Sequence, residues 1–166
     1  MILAAILAAN AAPLAHELGV GVGVGYQGGD TVVAGGLGGD VAYRLGVGDH
    51  LQVHARVGPR LYLAPVLEAD LGVGWRVPFG RGWSLTAGIE GAAMFGGVVR
   101  RVAADRIDPV LGAPWAVRVF VDPIEYRSGP FVLRTLGLAV GVGVDDPGGS
   151  LALGVHLFEV GFVGGG

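Results

Sequence analysis

Leu67-Glu68-Ala69-Asp70-Leu71-Gly72-Val73-Gly74-Trp75-Arg76-Val77 reads as two sequences interleaved. Alternate positions carry Leu, Ala, Leu, Val, Trp and Val; the positions between carry Glu, Asp, Gly, Gly and Arg. Successive side chains of a β-strand point to opposite faces, so this period of two predicts a strand with one apolar face and one polar or bare face.

The pattern recurs along the chain. Working outward from 65–77, the alternation predicts strands near 17–27, 37–47, 50–58, 83–95, 115–121, 131–144 and 151–162, eight in all. In the first, Leu18, Val20, Val22, Val24 and Tyr26 oppose glycines; in the seventh, Leu138, Val140 and Val142 oppose Gly137, Ala139, Gly141 and Gly143. Arg134 falls on the apolar side of the seventh, near its end, where a long side chain is expected to reach a polar interface. The last strand changes phase between Val155 and Phe158, which predicts a bulge near His156. Turn chemistry fills the gaps: Gly46 to His50, Gly58-Pro59-Arg60, Pro78 to Gly82, and Asp145-Asp146-Pro147-Gly148-Gly149. The longest connection, 96–114, holds Arg100, Arg101, Asp105, Arg106 and Asp108 and reads as an external loop.

Composition explains where such strands could live. Of 166 residues 33 are Gly, about a fifth, where roughly 7% is usual. The glycines fall at every second position, as in Gly19-Val-Gly21-Val-Gly23-Val-Gly25, which excludes the three-residue repeat of collagen. Their neighbours are Val rather than Ser, which excludes a flexible linker. Hydrophobic residues make up 52% of the chain and charged ones 15%; all 11 basic residues are Arg, and only three Ser are present. A soluble barrel with valines inside would need a water-facing surface that is hard to assemble from this chain, whereas lipid accepts the Val and Leu face and a lumen accepts the charges. A net charge of −3 with no basic cluster larger than Arg100-Arg101 excludes nucleic acid as a partner. No Cys is present.

Residues 1–15 carry no charged side chain and read as a signal-peptide-like segment, with Ala9-Asn10-Ala11 as its small-x-small site and 16–166 as a single barrel domain. At about 19 residues per strand and connection, the remainder accommodates eight transmembrane strands of roughly 9–11 residues each.

The signal-like start, the alternating strands and the aromatic ending Phe158-Glu-Val-Gly-Phe162 resemble the small bacterial outer-membrane barrels of the OmpA and OmpX kind. The resemblance implies an all-β fold, an eight-stranded antiparallel up-and-down transmembrane β-barrel, located in the bacterial outer membrane. Val163-Gly-Gly-Gly after Phe162 departs from the terminal Phe usual in that family.

With Val and Leu facing lipid, the lumen receives Arg44, His54, Arg56, Glu68, Asp70, Arg76, Glu90 and Arg118, together with Asp40 and Glu159. Opposite charges near balance predict an internal salt-bridge network, because an unpaired charge in a narrow lumen is costly. Glu68 and Asp70 share a face, and Arg56 and Arg76 are their expected partners rather than a substrate. The bare glycines of the first and seventh strands are expected to leave room for long charged side chains from the third to fifth. Trp75, Phe79, Trp83, Trp115, Phe158 and Phe162 are the candidate interfacial aromatics.

No catalytic residue, metal ligand or cofactor is assigned. Gly23-Val-Gly25-Tyr-Gln-Gly28 matches a dinucleotide fingerprint in letters, but no amphipathic helix follows it. His16, His50, His54 and His156 lack metal-site spacing, and no Ser lies near a His in sequence. The expectation is a monomeric barrel in membrane lipid with a structural, adhesive or surface-interaction role. A narrow diffusion pore, an outer-membrane lipid-modifying enzyme and a soluble lipocalin-like ligand-binding barrel are the alternatives.

Overall fold

The structure, a computed structural model, describes residues 14–29, 32–62, 65–103, 106–144 and 150–164. They form strands β1 (Leu14–Gly28), β2 (Val32–Val47), β3 (Leu51–Tyr62), β4 (Val66–Pro78), β5 (Trp83–Ala103), β6 (Arg106–Gly112), β7 (Trp115–Ser128), β8 (Phe131–Gly143) and β9 (Leu151–Gly164). Every pairing is antiparallel, and β1 joins β9 from His16↔Gly164 to Gly28↔Leu151. The wall is therefore a closed ring of eight strands, β1-β2-β3-β4-β5-β7-β8-β9, with β6 attached to β5 outside it.

The alternation fixes which way each strand faces. In β4, Leu67, Leu71, Val73, Trp75 and Val77 are exposed on the outside, while Glu68 and Asp70 are buried inside. Valines and leucines cover the outer surface in the same way on β1, β3, β7 and β8. This is the inverse of a soluble barrel, whose apolar side chains point inward.

The two ends differ. The connections β2–β3, β4–β5 and β7–β8 are tight and lie beside Leu14 and Gly164, the turn end; the connections β1–β2, β3–β4 and β8–β9 and the β5–β6 hairpin lie at the opposite, loop end.

The segment 96–114 is a correction. It is no loop: β5 runs to Ala103 and β6 returns along it, with Val99↔Pro109, Arg100↔Asp108 and Arg101↔Ile107 in register. Val98-Val99 before the turn and Ile107 and Val110 after it are strand formers on both arms, a stronger determinant than the charges between them. Asp105 lies outside the described residues. Beyond the tip of the β3–β4 hairpin, the strands that flank it pair with each other, Val32↔Arg100 and Val33↔Val99. Beneath that bridge Ala34, Val66, Met94 and Val98 form a buried apolar cluster.

Gly58-Pro59-Arg60 is a second correction, since β3 continues through it to Tyr62. Pro59 has no N–H to donate, and β2–β3 pairing lapses between Val41↔Val57 and Leu37↔Leu61, but the β3–β4 side is unbroken, Pro59↔Leu67 included.

Strands β7 to β9 carry a row of irregularities at one height. Asp122-Pro123 of β7 and Leu136-Gly137 of β8 are skipped between Val121↔Leu138 and Ile124↔Thr135. Leu157 of β9 is the extra residue between Val22↔Phe158 and Gly23↔His156. The bulge expected near His156 is this one. Leu136 has φ 60°, a left-handed value that a non-glycine residue rarely takes. Each bulge reverses which parity faces inward. Arg134 accordingly points into the barrel and is 4% exposed, correcting the expectation that it lay on the apolar face.

β1 begins at Leu14; Ala9-Asn10-Ala11 and the turn 145–149 lie outside the described residues. Gly23 to Gly28 belongs to β1, and the next element is β2 rather than a helix.

Candidate functional site: the charged lumen

Cross-strand register builds the interior. Glu17 faces Arg44 across β1–β2, Arg56 faces Asp70 across β3–β4, and Glu90 faces Arg118 across β5–β7. Arg134 faces Glu125 on one side and Glu159 on the other. Opposite charges on directly paired residues attract, and here they do so away from water.

At the loop half, Arg118 gathers three carboxylates: Glu68 at 2.8 Å, Asp70 at 2.7 Å and Glu90 at 2.8 Å. Arg60 holds the other oxygen of Glu68 at 2.7 Å and Asp40 at 3.2 Å. His54 contacts Glu90 at 3.1 Å and meets the Phe120 ring edge-on. Arg56 lies at mid-height, 3.6 Å from Asp70 and 3.8 Å from Asp40, and hydrogen-bonds to His156. At the turn half, Arg44 pairs with Glu159, and Arg134 pairs with Glu17, Glu125 and Glu159. Ser84 donates to Glu125 at 3.1 Å.

Among the sequence-predicted residues, Arg44, His54, Arg56, Glu68, Asp70, Glu90 and Arg118 are buried in the barrel, each 5% exposed or less. Arg76 stands at the turn-end mouth with its side chain 22% exposed, 3.5 Å from Glu125. Glu68 and Asp70 are held by Arg60 and Arg118, with Arg56 near Asp70, so Arg76 is not their partner. Sequence reasoning missed Glu17, Arg60, Glu125 and Arg134, all buried. The phase change it noted in the last strand is the signal that would have turned Arg134 inward, had its neighbours been given the same bulge.

Glycine makes room for these groups. A Cβ at Gly25 would run into the Glu68 carboxylate, which reaches across from β4, and one at Gly154 would lie 3.2 Å from Arg118 Nη1. At Gly21 it would meet Asp40 Oδ1 at 3.1 Å, and at Gly141 the main chain of Val117.

The outer aromatics form two groups. Tyr43, Trp75, Phe79, Trp83, Tyr126, Phe131 and Phe162 are exposed near the turn end, where Trp83 packs on Tyr126, Phe131 on Phe162, and Trp75 stacks on His50. Tyr26, Phe95 and Trp115 occupy the loop end, with Phe95 and Trp115 edge to face. Phe158 belongs to neither group, because it sits in the middle of β9, paired with Val22 and Thr135. No cluster of His, Asp and Glu fit to hold a metal occurs among the described residues.

No family model and no curated protein matches this chain in sequence. Among solved structures it is similar to Neisserial surface protein A, at 7% identity and TM-score 0.63, over 89% of this chain and 97% of that one. It is similar also to Ail, the attachment invasion locus protein of Yersinia pestis, solved in complex with the heparin analogue sucrose octasulfate, at 9% identity and TM-score 0.57, over 91% and 99%. The N-terminal β-barrel domain of Pseudomonas aeruginosa OprF follows at 13% identity and TM-score 0.50, over 88% and 97%. The likeness is one of fold. The chain has the architecture of the small eight-stranded outer-membrane barrels of the OmpA and OmpX kind.

Proposed function

We propose that this chain, with the fold of the small outer-membrane barrels, resides in the bacterial outer membrane as a monomer and acts as a structural, adhesive or surface-interaction protein whose lumen passes no solute. The observation that carries this reading is the charged interior: Arg60, Arg118 and Arg134, each 4% exposed or less, tie strands on several sides of the ring through shared carboxylates. An eight-strand interior is only just wide enough for its side chains, so such a network leaves no aqueous path.

The outer surface supports the lipid environment. Exposed Leu, Val and Ile lie between two groups of aromatics, and the paired β1 and β9 leave no open edge in the wall. Tight turns mark the periplasmic side of such barrels, which puts the β5–β6 hairpin at the cell surface, where a partner would meet it.

Two measurements test the reading together. Detergent-folded protein is expected to migrate differently with and without heating, and to give no steady conductance in a planar bilayer. A water-soluble, detergent-independent β monomer overturns the membrane assignment; a stable single-channel conductance overturns the closed lumen and makes the protein a narrow pore.

A further inference from the structure

At the turn end the lumen opens into a cavity of about 10 Å³ lined by Glu17, Arg44, Gln52, Arg76 and Arg127, among others. That is room for one oxygen the size of a water. The carboxylates around it are already engaged. Arg134 binds both oxygens of Glu17, and Arg134 and Ser84 bind Glu125. Arg76 is left with a 3.5 Å contact to Glu125 and a 3.3 Å bond to the main-chain oxygen of Asp49. Arg127 has only a 3.9 Å approach to Glu17. These two guanidiniums are the partly exposed arginines of the mouth, their side chains 22% and 31% exposed. Gln52 is 5% exposed, and its amide has no hydrogen-bond partner among the described residues. Its amide lines the cavity that both arginines line, and is open to whatever occupies it.

We propose that this mouth is an oxyanion site, in which Arg76, Arg127 and the Gln52 amide grip one phosphate or carboxylate group presented from the turn end. The cavity takes one oxygen of the group, and the rest projects into solvent. Guanidinium forks carry donors only and suit such planar or tetrahedral oxyanions, and Glu17, the carboxylate that lines the cavity, has both oxygens bound by Arg134. The site rests on the outer-membrane reading only for the side of the membrane it faces. The oxyanion belongs either to a soluble molecule or to a phospholipid headgroup.

The test is calorimetric titration of the full chain, folded in an uncharged sugar-based detergent. One arm uses inorganic phosphate; the other uses the same micelles doped with phosphatidylglycerol. Losing a charge-assisted hydrogen bond is worth about tenfold or more in affinity. Arg76→Gln with Arg127→Gln is expected to weaken binding by at least that factor, Gln52→Leu to weaken it less, and Arg81→Gln, on the exposed β4–β5 turn, to leave it unchanged. Arg76→Lys with Arg127→Lys keeps the charge that folding needs and loses the fork, so it is expected to fall between. Binding of the lipid alone, with the same variant order, supports the site and assigns the group to a headgroup. Equal binding by the wild type and both double variants, or no binding in either arm, overturns it. Failure of the wild type to show heat-modifiable migration would instead strike the membrane reading.

Discussion

Glu90 on β5 and Arg118 on β7 are direct cross-strand partners, and Arg118 Nη2 lies 2.8 Å from Glu90 Oε1. The same guanidinium also reaches Glu68 and Asp70 on β4, so one side chain neutralises charge from the strands on either side of the β4–β5 turn. Replacing Arg118 with Leu leaves Asp70 with only the more distant Arg56 and takes one partner from each of Glu68 and Glu90. Removing one partner of a buried pair costs about 3–5 kcal/mol, and urea titration of the folded protein in lipid vesicles is expected to show a loss of at least that size. Arg118→Lys, which keeps the charge but reaches fewer acceptors, should lose less.

Gly25 and Gly91 make a contrasting pair. Gly25 faces the Glu68 carboxylate, whereas Gly91 faces outward with only the Leu71 oxygen at 4.0 Å. Gly25→Leu is therefore expected to cut the yield of heat-modifiable folded protein severely, as is Gly141→Leu, while Gly91→Leu folds at the wild-type level. Normal folding of Gly25→Leu would mean that the lumen is not filled as described.

Leu157 is the extra residue of β9, so deleting it leaves His156 inside, Phe158 outside and Glu159 inside in simple alternation. Inserting one alanine between Phe158 and Glu159 does the reverse: strand period two carries Glu159 to the lipid face and Val160 inward. Glu159 then leaves Arg44 and Arg134, and a carboxylate on the lipid face adds a penalty below the roughly 2–4 kcal/mol that Arg or Lys costs near the midplane. The insertion is expected to abolish refolding into vesicles, read by the same gel shift, whereas the Leu157 deletion refolds.

All three tryptophans lie toward the barrel ends, Trp75 and Trp83 at one and Trp115 at the other. Lipids brominated near the headgroup should quench their fluorescence more than lipids brominated near the chain terminus. Stronger quenching from the deep label would contradict the placement of both aromatic groups.

Much of this was readable from alternation. The run from Leu67 to Val77 specifies its own faces because each position repeats the same choice, and lipid tolerates no ambiguity. What alternation could not convey was any place where the count slips. Arg134 and Glu125 sit on parities that look lipid-facing or neutral until the bulges at Pro123, Leu136 and Leu157 are known, and bulges leave little trace in composition. Arg60 was hidden differently. Gly58-Pro59 carries turn chemistry, and only pairing on the β4 side shows that a proline can sit within a strand that needs its N–H on neither edge. The β5–β6 hairpin is masked in the sequence because its arginines and aspartates have the composition of a solvated loop, although valines stand beside them.

The bridge from Val32 and Val33 to Val99 and Arg100 separates two tasks that a simple tube would share. Below it, length and register are dictated by the ion pairs and tolerate little change. Above it, the β5–β6 arm stands on its own hydrogen bonds, so its tip is free to vary in sequence without retuning the interior. A molecule divided in this way can alter the arm while the barrel beneath it stays the same, and the arm is the natural place to graft a foreign peptide.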